Sequence, residues 1–183
     1  MLIGLTGRAG AGKSAIAEHL VVNHGWEAMS FAEPIYAALS VMLGMPEEEL
    51  ADRGRKERPI NWLGKSPREL LQELGTGFGR QRVHEDLWVL ILARRLDALR
   101  RLQPGAHVVI SDVRFANEAA FVKQKGGVLW EVYGRSAYGV RTHESEAGVP
   151  PDTPRRSIYN GGVWADTVRQ VEQALKTDME IQR

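Results

Sequence analysis

The chain has no cysteine. That excludes a disulfide framework, a cysteine zinc site and a thiol nucleophile. Excess charge of one sign is missing too: 24 Lys and Arg stand against 23 Asp and Glu in 183 residues. A protein that coats nucleic acid through bulk charge would be far more basic. No apolar run approaches the roughly 20 residues that span a bilayer. The opening MLIGLTG lacks the basic start and long apolar stretch of a secretory signal. These absences predict a cytoplasmic protein with neither a membrane nor a nucleic-acid partner. There is no internal repeat and no low-complexity tract, and the length suits one domain, 1–183, with a sizeable core.

What the chain does contain is an alternation of element types. MLIGL is a short apolar run with a glycine stop, read as a buried strand. SAIAEHLVVNHG has helical spacing and a glycine exit at Gly25. EAMSF is a second strand, and Pro34 opens a helix that stops at Gly44. A short helix and a polar surface loop follow in EEELADRGRKERPINWLGK. SPRELLQELG predicts a helix with Ser66 as cap, Pro67 in its first turn and Glu69 closing a capping box. DLWVLILARRLDALRRL is amphipathic, and its arginines 94, 95, 100 and 101 form a solvated face. AHVVISD is a strand, NEAAFVKQKGG a helix and GVLWEVY a strand. Residues 134–156 are irregular and basic. SIYN and VWADTVRQVEQALK predict a last strand and helix. Strands alternating with helices imply an α/β fold with a parallel sheet covered on both faces.

Gly7, Gly12, Lys13 and Ser14 match G-x-x-x-x-G-K-[ST], with a strand before and a helix after. Glycines let the backbone of Arg8, Ala9, Gly10, Ala11 and Gly12 wrap a polyphosphate with its N–H groups turned inward. The helix beginning near Lys13 adds its positive dipole end. Lys13 is expected to reach the β- and γ-phosphates of ATP, and Ser14 to ligate Mg²⁺. Asp112 closes the apolar run HVVIS, where a carboxylate is suited to hold Mg²⁺ through water. An anionic acceptor needs forked cations on ordered elements, and Arg68, Arg80, Arg82 and Arg114 lie near predicted element ends.

SPRELLQELGTGFGRQRVHEDLWV, ISDVRFANEAAFVKQKGGVLWEV, THESE and IYNGG, in this order, resemble the deoxynucleoside monophosphate kinases of bacteriophages. The similarity runs over nearly the whole chain. The resemblance implies a three-layer P-loop kinase fold with a five-stranded parallel sheet in the order 2-3-1-4-5. It adds a helical acceptor-binding insertion at about 32–90 and a lid at about 134–156. The implied reaction moves the γ-phosphoryl of ATP, with Mg²⁺, to a deoxynucleoside 5′-monophosphate. Carried over by motif, Arg68, Gln72, Thr76, Gly79 and Arg80 serve the acceptor, and Phe31, after the second strand, either stacks on or walls its base or is a plain core residue. Asp112, Arg114, Asn117 and Glu118 sit beside the transferring phosphate. Arg135, Arg141, Arg155 and Arg156 belong to the lid, Arg135 and Arg141 with a catalytic part. His143, Ser145 and Glu146 anchor that lid, and Asn160 meets the adenine edge. Trp88 is read as core. Relatives often carry a lysine where Tyr36 stands, and many have an aspartate within the P-loop. A homodimer and, for a phage-encoded chain, the host cytoplasm also fit.

Two other readings share parts of the pattern. Dephospho-coenzyme A kinases have the P-loop, a DVR-like region and a final N-G stretch, but GTGFGRQ fits them less well. An ATP-gated switch protein would need a partner surface such as a basic helix; ARRLDALRRL offers Arg94, Arg95, Arg100 and Arg101, on the polar side of an amphipathic helix.

Overall fold

Strand β1 (Leu2–Thr6) is buried along its whole length, as a central strand must be when helices cover both faces. In this computed structural model residues 1–52, 54–134, 149–150, 153 and 156–181 are described. The other strands are β2 (Glu27–Met29), β3 (Val108–Ile110), β4 (Val128–Tyr133) and β5 (Arg156–Tyr159). All pairings are parallel, with Ile3 opposite Val109 on one side and Val128 on the other. The order is β2-β3-β1-β4-β5, the order expected above.

The chain forms two compact units. The first comprises Met1–Ser30 and Ala93–Arg183 and holds the sheet. Its helices are α1 (Lys13–His24), α6 (Ala116–Gln124), α7 (Trp164–Ile181) and the latter part of α5 (Leu87–Leu102). Alternation along the strands sorts side chains to two faces. Ile3, Leu5, Trp130 and Val132 join Ile16, Leu20, Val171 and Leu175 from α1 and α7 in one cluster. On the other face a Cβ added to Gly4 would lie 2.9 Å from Leu129 and from Val113, and 3.0 Å from Val122 of α6. Trp130 is fully buried, and its indole N–H donates to Asp178 Oδ2 at 2.8 Å. Arg156 donates to the same carboxylate. Arg156, expected in the lid, is thus a β5 residue tied to α7. Burying the indole N–H and the carboxylate is tolerable because each satisfies the other.

The second unit, Phe31–Leu92, contains α2 (Glu33–Leu43), α3 (Glu47–Ala51), α4 (Pro67–Gln72), a π-helix (Glu73–Val83) and the start of α5. The capping box is as read: Ser66 accepts from Glu69 N, and Glu69 Oε2 accepts from Ser66 N at 2.8 Å. Hydrogen bonds from the Ser66 main chain, then from its hydroxyl, hold the Glu69 carboxyl below its ordinary 4.5. A lowered carboxyl stabilises the fold above that value, and the contribution fades as pH falls beneath it. Ser66→Ala is expected to cost about 1 kcal/mol, read as a lower urea midpoint at neutral pH.

The sequence predicts a helix ending at Gly75, but the coil continues as the wider π-helix to Val83. The i→i+5 pattern persists to its end, where His84 N donates to Gly79 O at 3.0 Å. Trp88 contacts this coil. Its indole N–H donates to Gly75 O at 2.7 Å, within the π-helix. Trp88 is 7% exposed, the core position expected of it. Its ring also lies against Gly79, where a Cβ would come within 2.4 Å of it.

Candidate active site

The loop after β1 is shaped by positive φ angles at Gly7 (127°), Gly10 (82°) and Gly12 (100°). L-residues with a Cβ rarely adopt such angles. Gly7 is further constrained by space, because a Cβ there would stand 2.1 Å from the Val132 carbonyl oxygen. The root of the loop therefore lies directly on the β4 backbone. Gly12 is the N-cap of α1, and neither a side-chain cap nor an acidic residue occupies the first turn. A helix start without a carboxylate of its own is suited to an external anion. The cradle and its helix thus fit a nucleotide polyphosphate.

Lys13 is 9% exposed, and its ammonium donates to Gly7 O at 2.6 Å and Arg8 O at 3.0 Å. Ala11 N donates to Arg8 O at 3.2 Å, closing the loop on itself. Arg8, Gly10 and Ser14 are exposed, while Ala9 is half-buried and Ala11 buried.

The tips of the neighbouring strands supply the acid. Ser111 N donates to Met29 O and Val113 N to Leu5 O, which fixes the chain on either side of Asp112. Asp112 Oδ2 accepts from Ser30 Oγ, at the end of β2, at 2.7 Å. No local sequence signal marks Ser30, because 82 residues separate the pair. Ser14 and Asp112 supply oxygen donors suited to Mg²⁺.

Next along the chain, Glu118 is 2% exposed and accepts from the main-chain N–H groups of Arg114 at 2.7 Å and Phe115 at 3.1 Å. Its own N–H donates to Asn117 Oδ1 at 3.0 Å. Glu118 therefore orders the turn that carries Arg114 into α6.

Asn160 was expected at an adenine edge. Its side chain is 1% exposed and turned inward instead: Nδ2 donates to Ala11 O at 2.8 Å, and Oδ1 accepts from Thr167 Oγ1 at 3.0 Å. A Cβ at Gly12 would stand 2.0 Å from Asn160 Nδ2. The end of β5 and the first turns of α7 thus brace the phosphate loop through one amide. Thr167 gave no signal in the sequence beyond its place in an amphipathic helix.

In the second unit, Arg68 Nε donates to Glu57 Oε1 at 2.5 Å, and Arg80 Nη1 to Glu85 O at 3.1 Å. Thr76 and Gly79 are buried, Gln72 half-buried. Phe31 is 3% exposed and packs in its unit; Phe78, on the π-helix, is 53% exposed. The Tyr36 hydroxyl accepts from Lys56, whose ammonium lies 4.9 Å from the ring centroid. Main-chain Arg68 N donates to Lys56 O at 3.0 Å, so the loop cation is anchored to the start of α4. Arg135, Arg141, His143, Ser145, Glu146 and Arg155 lie outside the described residues.

Comparison with known proteins completes the picture. A protein of Acanthamoeba polyphaga mimivirus, assigned by name as a deoxynucleotide monophosphate kinase, is 34% identical over 155 residues, which cover 80% of each chain. The chain belongs to the deoxynucleotide monophosphate kinase family. The deoxynucleoside-5′-monophosphate kinase of Escherichia phage T5 is 26% identical, over 87% of this chain and 89% of its own. No protein-family profile matches. Among solved structures, a gluconokinase of Sinorhizobium meliloti aligns with a TM-score of 0.51 at 14% identity, covering 98% of this chain and 95% of its own. The Thermus thermophilus protein TT1252 aligns at 0.50 with 19% identity, covering 97% of each. At such identities these two speak for the fold alone, and it is the fold of a P-loop kinase. No described helix of this family member is long and apolar enough to cross a membrane.

Proposed function

We propose that this chain moves the γ-phosphoryl group of ATP to the 5′-phosphate of a deoxynucleoside monophosphate, giving ADP and the deoxynucleoside diphosphate. One observation carries the donor half: a glycine cradle from Gly7 to Gly12 leads into a helix start with no acid of its own, with Lys13 seated on the loop. Family membership supports the acceptor half.

The chemistry asks little of the protein beyond position and charge. An acceptor phosphate oxygen attacks Pγ as the bond from Pγ to the β-bridging oxygen breaks. The attacking oxygen is already ionised, so no general base is required. Main-chain N–H groups of the loop and the first turn of α1, other than that of Ala11, which is bonded to Arg8 O, hold the β- and γ-phosphates. Lys13 exchanges its two carbonyl partners for phosphate oxygens and follows the charge as it moves toward the leaving group. Ser14 and Asp112 are the residues that would hold Mg²⁺, which when bound neutralises charge on the phosphates. Ser30 keeps Asp112 in one rotamer. Arg114 meets the transferring group from a turn that Glu118 fixes. Asn160 serves ATP by positioning Ala11 rather than by touching the base. Arg68, Gln72, Thr76, Gly79 and Arg80 take the acceptor, Phe31 backs its base, and Arg135 and Arg141 complete the charge clamp.

Steady-state ADP release tests the reading. Each deoxynucleoside monophosphate that is a substrate stimulates release, and dephospho-coenzyme A does not; the reverse pattern would assign the chain to that other kinase. Arg80→Ala raises KM for the monophosphate by about tenfold or more, as expected when a charged contact of 1.5–3 kcal/mol is lost, and leaves KM for ATP nearly unchanged. Equal changes in both constants would remove Arg80 from the acceptor site.

A further inference from the structure

Three donor atoms that phosphoryl transfer does not use converge between α1 and α7, both within the first unit. His19 Nε2 and His24 Nε2 each stand 2.8 Å from the same atom, Glu172 Oε1. All three donors lie within 4.8 Å of one another. Five residues along an α-helix turn through about 140°, so sequence spacing does not set these histidines on one face. The folded chain does: their ring centroids are 5.7 Å apart, and α7 brings the carboxylate from 148 residues away.

We propose that His19, His24 and Glu172 form a binding site for one divalent transition-metal ion of the Zn²⁺ type, with water completing the coordination. Two imidazoles and one carboxylate are a donor set that such ions favour, whereas Mg²⁺ prefers oxygen ligands alone. The site is therefore chemically distinct from the Mg²⁺ position at Ser14 and Asp112. Tetrahedral Zn²⁺ with bonds near 2.1 Å places its donors about 3.3–3.4 Å apart. The present pairs at 2.8 Å need to open by about half an ångström as the proton each shares gives way to the metal. Room for that exists, since the His24 and Glu172 side chains are 27% and 43% exposed.

The surroundings suit a cation. Burial acts to raise the Glu172 carboxyl, but hydrogen bonds from both imidazoles outweigh it, and the group lies below its ordinary value. His24 is the last residue of α1, where the carbonyl end of the helix favours positive charge. His19 has an outer partner: its Nδ1 lies 3.1 Å from the Asn23 side-chain amide. The same Asn23 Nδ2 donates to the His19 carbonyl at 3.0 Å, so with metal on Nε2 the proton on Nδ1 passes to water as its acceptor while Asn23 keeps its main-chain bond. The edge-on ring of Trp164, 6.2 Å from His19 between centroids, walls one side. A metal here would clasp the end of the P-loop helix to α7.

Calorimetric titration of the nucleotide-free full chain with Zn²⁺, in the presence of excess Mg²⁺, tests the proposal. One equivalent binds saturably, and Co²⁺ at the same site gives visible absorption of tetrahedral type. His24→Gln and Glu172→Gln each weaken Zn²⁺ affinity by at least about tenfold, no less than the loss of an outer-shell partner costs. His84→Gln, outside the cluster, leaves it unchanged. Zn²⁺ raises the Tm of the wild type and not of His24→Gln, while circular dichroism of the metal-free variants matches the wild type. The absence of saturable binding, or undiminished binding in both variants, would overturn the site and leave a proton-sharing cluster between two helices. Neither result touches the kinase reading.

Discussion

Replacing Lys13 with alanine lowers kcat by at least about 10²–10³-fold, the loss seen when one preorganised charge-stabilising donor is removed. The ammonium bridges Gly7 O and Arg8 O, within reach of any phosphate held by the loop. A charge acting mainly on the migrating phosphoryl group is worth more in the transition state than in the bound substrate. The change therefore falls on kcat more than on KM for ATP. Lys13 is buried, so the same substitution has a structural cost, and Lys13→Met separates the two. It keeps the packing of the aliphatic stem, and its Tm should stay close to the wild type while turnover remains at the alanine level. Near-normal turnover in either variant would remove Lys13 from the chemistry.

Gly7→Ala is expected to be severely destabilising. The added Cβ would enter within 2.1 Å of the Val132 carbonyl oxygen at a φ of 127°. Backbone strain contributes about 1–3 kcal/mol and overpacking against an immovable main chain a similar amount, giving roughly 2–6 kcal/mol in all. Gly25→Ala isolates the first term. Gly25 also has positive φ, 67°, but nothing lies within 4 Å of its Cβ position. Its cost should be about 1–2 kcal/mol, that of a left-handed residue alone. Urea midpoints of the two variants give the comparison. Similar losses would show that the loop does not rest on β4 as described.

These two positions also show how far the sequence could be read. Gly7 and Lys13 were legible because the phosphate loop is a local device: strand, glycine turn and helix start follow one another without a break. The sheet order was legible through the likeness of the whole chain to one kinase family. The features that escaped are made by contacts distant in sequence. The coil is a π-helix from Glu73 to Val83, and Trp88, 13 residues on from Gly75, binds the Gly75 carbonyl within it. No local periodicity reports that event. Asn160 reads as a turn residue beside two glycines, yet its amide is committed to Ala11, 149 residues away. Ser30 looks like the end of a short strand until β3 brings Asp112 to it. Arg156 sits at the edge of a basic irregular stretch and reads as one more lid arginine. Only the fold places Asp178 beside it.

Arg68 and Arg80 raise the same issue in the second unit. Their motif was recognisable, and each now has an identified neighbour, Glu57 for the first and the Glu85 carbonyl for the second. An arginine held by a carboxylate keeps its geometry until a stronger anion competes for it. Tyr36 with Lys56 makes a related point. The ammonium of Lys56 reaches the Tyr36 hydroxyl from a loop 20 residues away, which no local pattern reports.

The central claim is that phosphate passes from ATP to a second nucleotide rather than to water. Incubating the protein with γ-labelled ATP, Mg²⁺ and each deoxynucleoside monophosphate in turn, and separating the products, tests it most directly. Label appearing in a deoxynucleoside diphosphate, in amounts equal to the ADP formed, is the predicted result. Label found only in inorganic phosphate, whichever monophosphate is supplied, would contradict the account.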